Sequence, residues 1–182
     1  MQAVTIRRLV VADAEDFRAI RLAALLTAPE AFGSVHALEV ERPLAAFAER
    51  LATSAVLGAY DGGRIGGMAG FWRANGPKDS HKGFVFGMFV APELRGRGVG
   101  AALIAAVIAA ARGEVEQLHL AVLRSNAAAI ALYRAAGFAV YGIEPRALKD
   151  ASGYADELLM VRILQPGVET PGDIVDPSNS RT

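Results

Sequence analysis

Met88-Phe89-Val90-Ala91-Pro92-Glu93-Leu94-Arg95-Gly96-Arg97-Gly98-Val99-Gly100 is the stretch from which the fold can be read. It is the apolar end of a strand, a proline break, then a loop of alternating arginine and glycine. An Ala/Ile/Leu/Val-rich helix follows and stops at Gly113. Glycine takes backbone angles that other residues avoid and lets a ligand come close to the main chain. The first amides of a helix have no internal partner, and the helix dipole adds partial positive charge there. Arg95 and Arg97 add two formal charges, so the loop suits a phosphate or pyrophosphate. Glycine turns between strand and helix also serve close packing alone. Two other phosphate loops do not fit. No Gly-x-x-x-x-Gly-Lys-Ser/Thr occurs, and Gly96, Gly98 and Gly100 lack the Gly-x-Gly-x-x-Gly spacing of a dinucleotide fold.

Downstream, Gln117–Leu123 reads as a strand, and strand–helix–strand order predicts a parallel pair with a right-handed crossover. Ser125 or Asn126 caps the next helix, which runs through Tyr133 and ends at Gly137. Asn126 and Tyr133 are seven residues apart, about two turns, and share a helix face. Phe138–Leu148 and Tyr154–Leu164 form a closing hairpin around Lys149–Gly153. Upstream, Lys82–Val90 is a strand. Ala55–Tyr60 and Arg64–Trp72 form a hairpin across Asp61-Gly62-Gly63. Before them come a first strand at Val4–Leu9 and a helix with Asp13 as its expected cap. That helix buries Phe17, Ile20, Ala24 and Leu25. A second helix opens near Pro43 and carries Leu44, Phe47, Ala48 and Leu51. The expectation is one α/β domain over residues 1–164. It has a mixed, mostly antiparallel seven-stranded sheet and about four helices. Residues 165–182, rich in Pro, Gly, Asp, Ser and Thr, read as a flexible tail.

The 182 residues allow one sizeable core. Lys plus Arg and Asp plus Glu balance at 19 each, giving no general pull toward nucleic acid or a membrane surface. Cysteine is absent, which removes disulfides, a thiol nucleophile and thiolate metal sites. His36, His81 and His119 have no ligand spacing, so no metal site is expected. The longest apolar stretch, Val99–Ala111, is too short to cross a bilayer. A cytoplasmic protein is expected.

Arg95-x-x-Gly98-x-Gly100 behind a strand and Pro92 resembles the acyl-CoA pyrophosphate loop of the GNAT family of N-acetyltransferases. Asn126 to Tyr133, closed by Gly137-Phe138, resembles that family's next helix. The resemblance covers Ile6–Leu164. It implies acetyl-CoA as cosubstrate and a parallel strand pair splayed into a slot for the pantetheine arm. It also implies direct transfer to a primary amine of a small molecule or peptide, through a ternary complex. The cofactor-binding residues are then Met88, Phe89, Val90, Arg95, Gly96, Arg97, Gly98, Val99, Gly100 and Asn126. A backbone amide at Phe89 or Val90 would polarise the thioester, and Tyr133 would act as general acid on the leaving thiolate. Phe32, Glu144, Tyr154 and Glu157 are the candidate acceptor residues. Charge pairing of Glu144 or Glu157 with Arg146 or Lys149 is the structural alternative for those acids. Relatives often carry a titratable base on the strand before the loop; Gly83–Met88 has none, which leaves Glu144, Asp156, Glu157, Glu30 or His36 acting through water. Without that base, a catalytically quiet acyl-CoA-binding or sensing module is the alternative function. The family often dimerises, so a homodimer stays open.

Overall fold

The computed structural model describes residues 3–174. Seven strands form one sheet: β1 (Thr5–Arg8), β2 (Ala55–Asp61), β3 (Arg64–Arg73), β4 (Lys82–Val90), β5 (Gln117–Leu123), β6 (Ala139–Asp150) and β7 (Gly153–Ile163). Their order is β1-β2-β3-β4-β5-β7-β6, with only β4 and β5 parallel. The helices are α1 (Ala14–Thr27), α2 (His36–Glu39), α3 (Leu44–Thr53), α4 (Val99–Ala111) and α5 (Ala127–Ala135). The expected sheet is present, and α2 is one short helix more than expected. It lies in the segment read as a plain connection, and four residues are too few to show helical periodicity.

The parallel pair positions the site. β4 and β5 are in register only from Lys82↔Gln117 to Phe84↔His119. Beyond that, β5 stays with β7 as far as Leu123↔Glu157, while β4 follows β3 to Gly67↔Val90. The cause is local. The β3–β4 register jumps from Gly70↔Phe86 to Met68↔Phe89, and Gly87 sits in the jump at φ 68°. An inserted residue bends its strand and sharpens its twist. Residues 85–90 therefore leave β5 and open a V-shaped slot.

Helices cover both faces. α4 buries Leu103, Ile104, Val107 and Ala111 against Leu57, Ala69, Leu118, Leu120 and Val122. On the other face, Phe17 and Ile20 of α1 and Phe47 and Leu51 of α3 pack on Val56, Met68 and Phe89. Leu44, expected in the α3 stripe, is exposed. α2 is tied down by an ion pair. Glu39, 2% exposed, takes two hydrogen bonds from the Arg21 guanidinium, at 3.0 and 2.7 Å.

Three local expectations shift. The Asp13 carboxylate does not cap α1. It accepts from the Val10 N–H at 2.8 Å and from the Arg7 guanidinium, closing a 3-10 turn at Val11–Asp13. The β6–β7 turn is shorter than read, because pairing persists to Asp150↔Gly153. The segment from Gln165 to Ile174 returns to the β6 edge. There the Asp173 carboxylate accepts from the Val140 N–H at 2.8 Å and meets Arg134, and the Ile174 N–H donates to the Val140 carbonyl at 2.9 Å. Residues 175–182 of the expected tail lie outside the described residues.

Candidate active site

Gly96 and Gly98 both take left-handed conformations, at φ 72° and 75°. That alternation turns successive amides outward at the mouth of α4. Among the described residues, the N–H groups of Gly96, Gly98, Val99, Gly100 and Ala101 find no acceptor; the first bond of the helix runs from the Ala102 N–H to the Gly98 carbonyl at 3.0 Å. A Cβ built on Gly96 or Gly98 meets nothing within 4 Å, so space stands open in front of the loop. The residues present therefore fit a diphosphate. The arginines are less uniform than the sequence suggests. The Arg95 Nε donates to the Val90 carbonyl at 3.0 Å, folding the side chain back over the strand end. Arg97 pairs with Asp61 at the end of β2 at 2.7 Å.

Behind the loop lies a cavity of about 730 Å³, walled by Met88–Val90, the glycine loop, Thr27–Phe32 and the start of α5. The β4 backbone faces it in alternation. The Ala91 N–H donates to Gly66 on the β3 side at 2.8 Å. The polar groups of Phe89 therefore also face β3, opposite Met68, and those of Val90 and Met88 face the slot. Of the two amides suggested by sequence, Val90 is the one turned toward the cavity. Asn126 lines the same cavity, and its Oδ1 accepts from the Ala129 N–H at 3.1 Å, capping α5.

A narrow crevice of about 110 Å³ continues from this cavity between the splayed strands. Val85, Gly87 and Met88 form one wall, Leu120–Leu123 the other, and Tyr133 lies on it. Tyr133 is 6% exposed, edge-on to Phe138, and its hydroxyl has no hydrogen-bond partner among the described residues. Burial pushes the phenol up to about 12, so it keeps its proton at neutral pH.

On the far side the crevice opens into a third cavity of about 840 Å³ between α3, the end of β3 and the β4 bulge. Ala31 and Phe32 line all three spaces, and Phe86, Gly87 and Ala121 line the last two. The three form one passage through the sheet. Sequence reasoning brought Phe32 to this passage and missed Gly87 and the arginines of the third cavity. A glycine inside a strand pattern is the one signal that could have found the bulge.

The remaining candidates lie beside the passage. Glu144 and Glu157 stand directly opposite each other across β6 and β7, and Glu157 is also opposite Leu123 of the crevice wall. No ion pair joins either to Arg146 or Lys149 among the described residues. Burial, then the neighbouring Glu144, holds the Glu157 carboxyl above its ordinary value. Tyr154 is 51% exposed on the hairpin, beneath the Arg146 guanidinium at 3.7 Å from the ring centroid. Asp156 binds the Arg146 N–H at 2.8 Å. His119 is stacked on Phe84, edge-on to Tyr141 and within 2.9 Å of the Gln117 amide. Burial lowers its pKa and favours the neutral ring, as in a structural histidine.

A glycine loop at a helix mouth, behind a parallel pair split by a bulge, defines the class. The sequence matches the acetyltransferase (GNAT) family over residues 11–138, and the chain belongs to that family. It is similar to the N-alpha-acetyltransferase RimI of Mycobacterium tuberculosis, with 37% identity over 107 residues. That match spans 57% of this chain and 65% of the relative, so slightly under two thirds of the relative is covered. Among solved structures, the ribosomal-protein-alanine N-acetyltransferase of Brucella melitensis superposes with a TM-score of 0.76 at 28% identity, over 88% of this chain and 99% of that one. The yncA protein of Salmonella typhimurium, solved with its cofactor acetyl-CoA, gives a TM-score of 0.79 at 22% identity, over 93% and 99%. A phosphinothricin acetyltransferase of Sinorhizobium meliloti, in complex with acetyl-CoA, gives 0.77 at 23%, over 97% of each. At these last two identities the likeness concerns the fold alone.

Proposed function

We propose that this chain transfers the acetyl group of acetyl-CoA directly to a primary amine within a ternary complex. The observation that carries the reading is the passage itself. A phosphate-sized loop, a crevice holding an unpartnered phenol and an acceptor-sized cavity are joined in that order through the split between β4 and β5. In this reading the amides of Gly98–Ala101 grip the diphosphate, with Arg95 at its flank. The slot-facing amides of Met88 and Val90 align the pantetheine arm and donate to the thioester oxygen as charge develops on it.

The chemistry balances without a covalent enzyme intermediate. The amine nitrogen attacks the thioester carbon, a C–N bond forms, the C–S bond breaks and the sulfur leaves with the electron pair. Tyr133 donates its hydroxyl proton toward that sulfur. An ordinary thiol has a pKa of ~8.5, so complete transfer from a phenol near 12 is uphill by some three units. Its main effect is then a hydrogen bond that strengthens as the thiolate forms; the phenol keeps its proton, and CoA leaves as the thiolate and takes its proton from solvent. The ammonium proton leaves through the acid pair beside the crevice. Glu157, with its raised pKa and its place opposite Leu123, is the base that β4 does not supply.

The same features argue against a quiet acyl-CoA-binding module, which needs neither a free phenol in the crevice nor an acceptor cavity behind it. Two measurements test the reading: binding of CoA and acetyl-CoA by calorimetry, and thiol release with an amine panel. Binding without release by any amine supports the module instead. No binding removes both.

A further inference from the structure

The third cavity has a charge pattern that the transfer reaction does not require. Its wall carries Arg21, Arg42, Arg50 and Arg73 against one carboxylate, Glu49. Two of these arginines are engaged. Arg21 is held by Glu39, and the Arg73 Nε donates to the Ser80 carbonyl. Arg42 is exposed. Arg50 is partly buried, with its guanidinium 5.7 Å from the centre of the Phe86 ring. Among the described residues no carboxylate pairs with Arg50 and nothing accepts from its guanidinium. Burial, then Arg21 and Arg42, acts against its charge, and only Glu39 favours it. A partly buried guanidinium that borders a cavity and has no carboxylate against it is placed to bind an anionic ligand there. Phe86, below that guanidinium, also lines the crevice, so the charge stands beside the place where the acceptor nitrogen must arrive. The acid pair stands in register with Leu123 of the crevice wall, Glu157 directly opposite it on β7 and Glu144 one strand further out on β6. Positive charge at α3 and negative charge at the β6–β7 hairpin match a molecule with an oxyanion at one end and an amine at the other.

We propose that the acceptor is an amine bearing a carboxylate or a similar oxyanion, which Arg50 binds while Arg42 and Arg73 add to the field. A free amino acid and a peptide with an acidic residue near its N-terminus share this chemistry. Polyamines and other purely cationic amines are disfavoured. The inference rests on the transfer reading and narrows it.

The test uses the full chain with saturating acetyl-CoA and thiol release as readout. Acceptors are presented as matched sets: free amino acids, their α-carboxamides and the corresponding decarboxylated amines, together with short peptides of acidic and of basic N-terminal sequence. An acidic acceptor should exceed its neutral or cationic counterpart by about 10–100-fold in kcat/KM, the range of one charge-assisted hydrogen bond. Arg50→Gln should erase that ratio by raising the acceptor KM, with the KM for acetyl-CoA unchanged, and Arg50→Lys should restore part of it. Arg42→Gln, at an exposed position, should lower the ratio by a smaller factor and guards against a folding defect in the Arg50 variants. Preference among free amino acids or among acidic peptides identifies the source, and either supports the proposal. Equal use of acids and amides, preference for polyamines, a ratio that survives Arg50→Gln, or acetyl-CoA binding with no turnover of any acidic acceptor would overturn it. Failure to bind acetyl-CoA at all would instead remove the transfer reading on which it stands.

Discussion

At the scale of single residues the proposed reaction assigns roles to a phenol, a glycine and a carboxyl. Positioned proton donation is typically worth ~10²–10⁴-fold, so Tyr133→Phe should lower kcat by up to that factor. The melting temperature and acetyl-CoA binding should stay near the parent values, since the phenol hydroxyl has no partner among the described residues to lose. Gly98→Val should abolish CoA binding measured by calorimetry. The added methyls would occupy the open side of the loop, and a β-branched residue at φ 75° costs roughly 1–3 kcal/mol of strain besides. Glu157 gives a pH signature. Its folded pKa lies above the ordinary value of 4.5, so the native state favours the protonated carboxyl. Stability from this group is present below about 4.5 and is lost as pH rises through the raised pKa. Glu157→Gln should therefore gain melting temperature over the parent at pH 7 and not at pH 4. The glycines and Tyr133 were legible in the sequence because their spacing within a loop and a helix is local. The isolation of Arg50 was not, because a lone arginine on a helix looks the same whether or not a carboxylate waits across the fold.

At the scale of elements, the β4 bulge and the α1–α2 junction shape the passage. Gly87→Val forces a β-branched residue into φ 68°, a strain of roughly 1–3 kcal/mol that β4 can relieve by straightening toward β5. The expected outcome is a lower melting temperature together with a raised KM for acetyl-CoA, read by thermal melts and steady-state kinetics. The Arg21–Glu39 pair holds α2 against α1, and the same guanidinium lies 4.9 Å from the centre of the Phe32 ring. Removing one partner of a buried pair costs roughly 3–5 kcal/mol. Glu39→Ala should lower the melting temperature by roughly 10 °C and loosen Phe32, the residue shared by all three cavities. Helix and strand identities were readable from periodicity. The α2 turn and the register jump were not, since each involves fewer residues than a period needs to declare itself.

At the scale of the whole molecule, a ligand lying between two half-sheets should stiffen both. Acetyl-CoA at 100 times its dissociation constant should add about 2.7 kcal/mol of stability. For a chain of this size that is a rise of roughly 5–10 °C in melting temperature, checked by differential scanning calorimetry; no rise would mean that the loop does not bind it. The sequence by itself determined the order of the seven strands and the four longer helices, the glycine loop before α4, the helix face shared by Asn126 and Tyr133, and membership of the family. These follow from short-range patterns: glycine where φ must be positive, apolar residues at the period of the element, turn residues between them. Only the tertiary structure decided that β4 parts from β5 after Phe84, that the three cavities share Ala31 and Phe32 beside that gap, and that Arg50 lines the last of them while Glu157 stands in register with Leu123 of the crevice wall. Those arrangements depend on which strand wins each pairing and on how charges from distant segments meet in space, and neither is written in the spacing of residues along the chain.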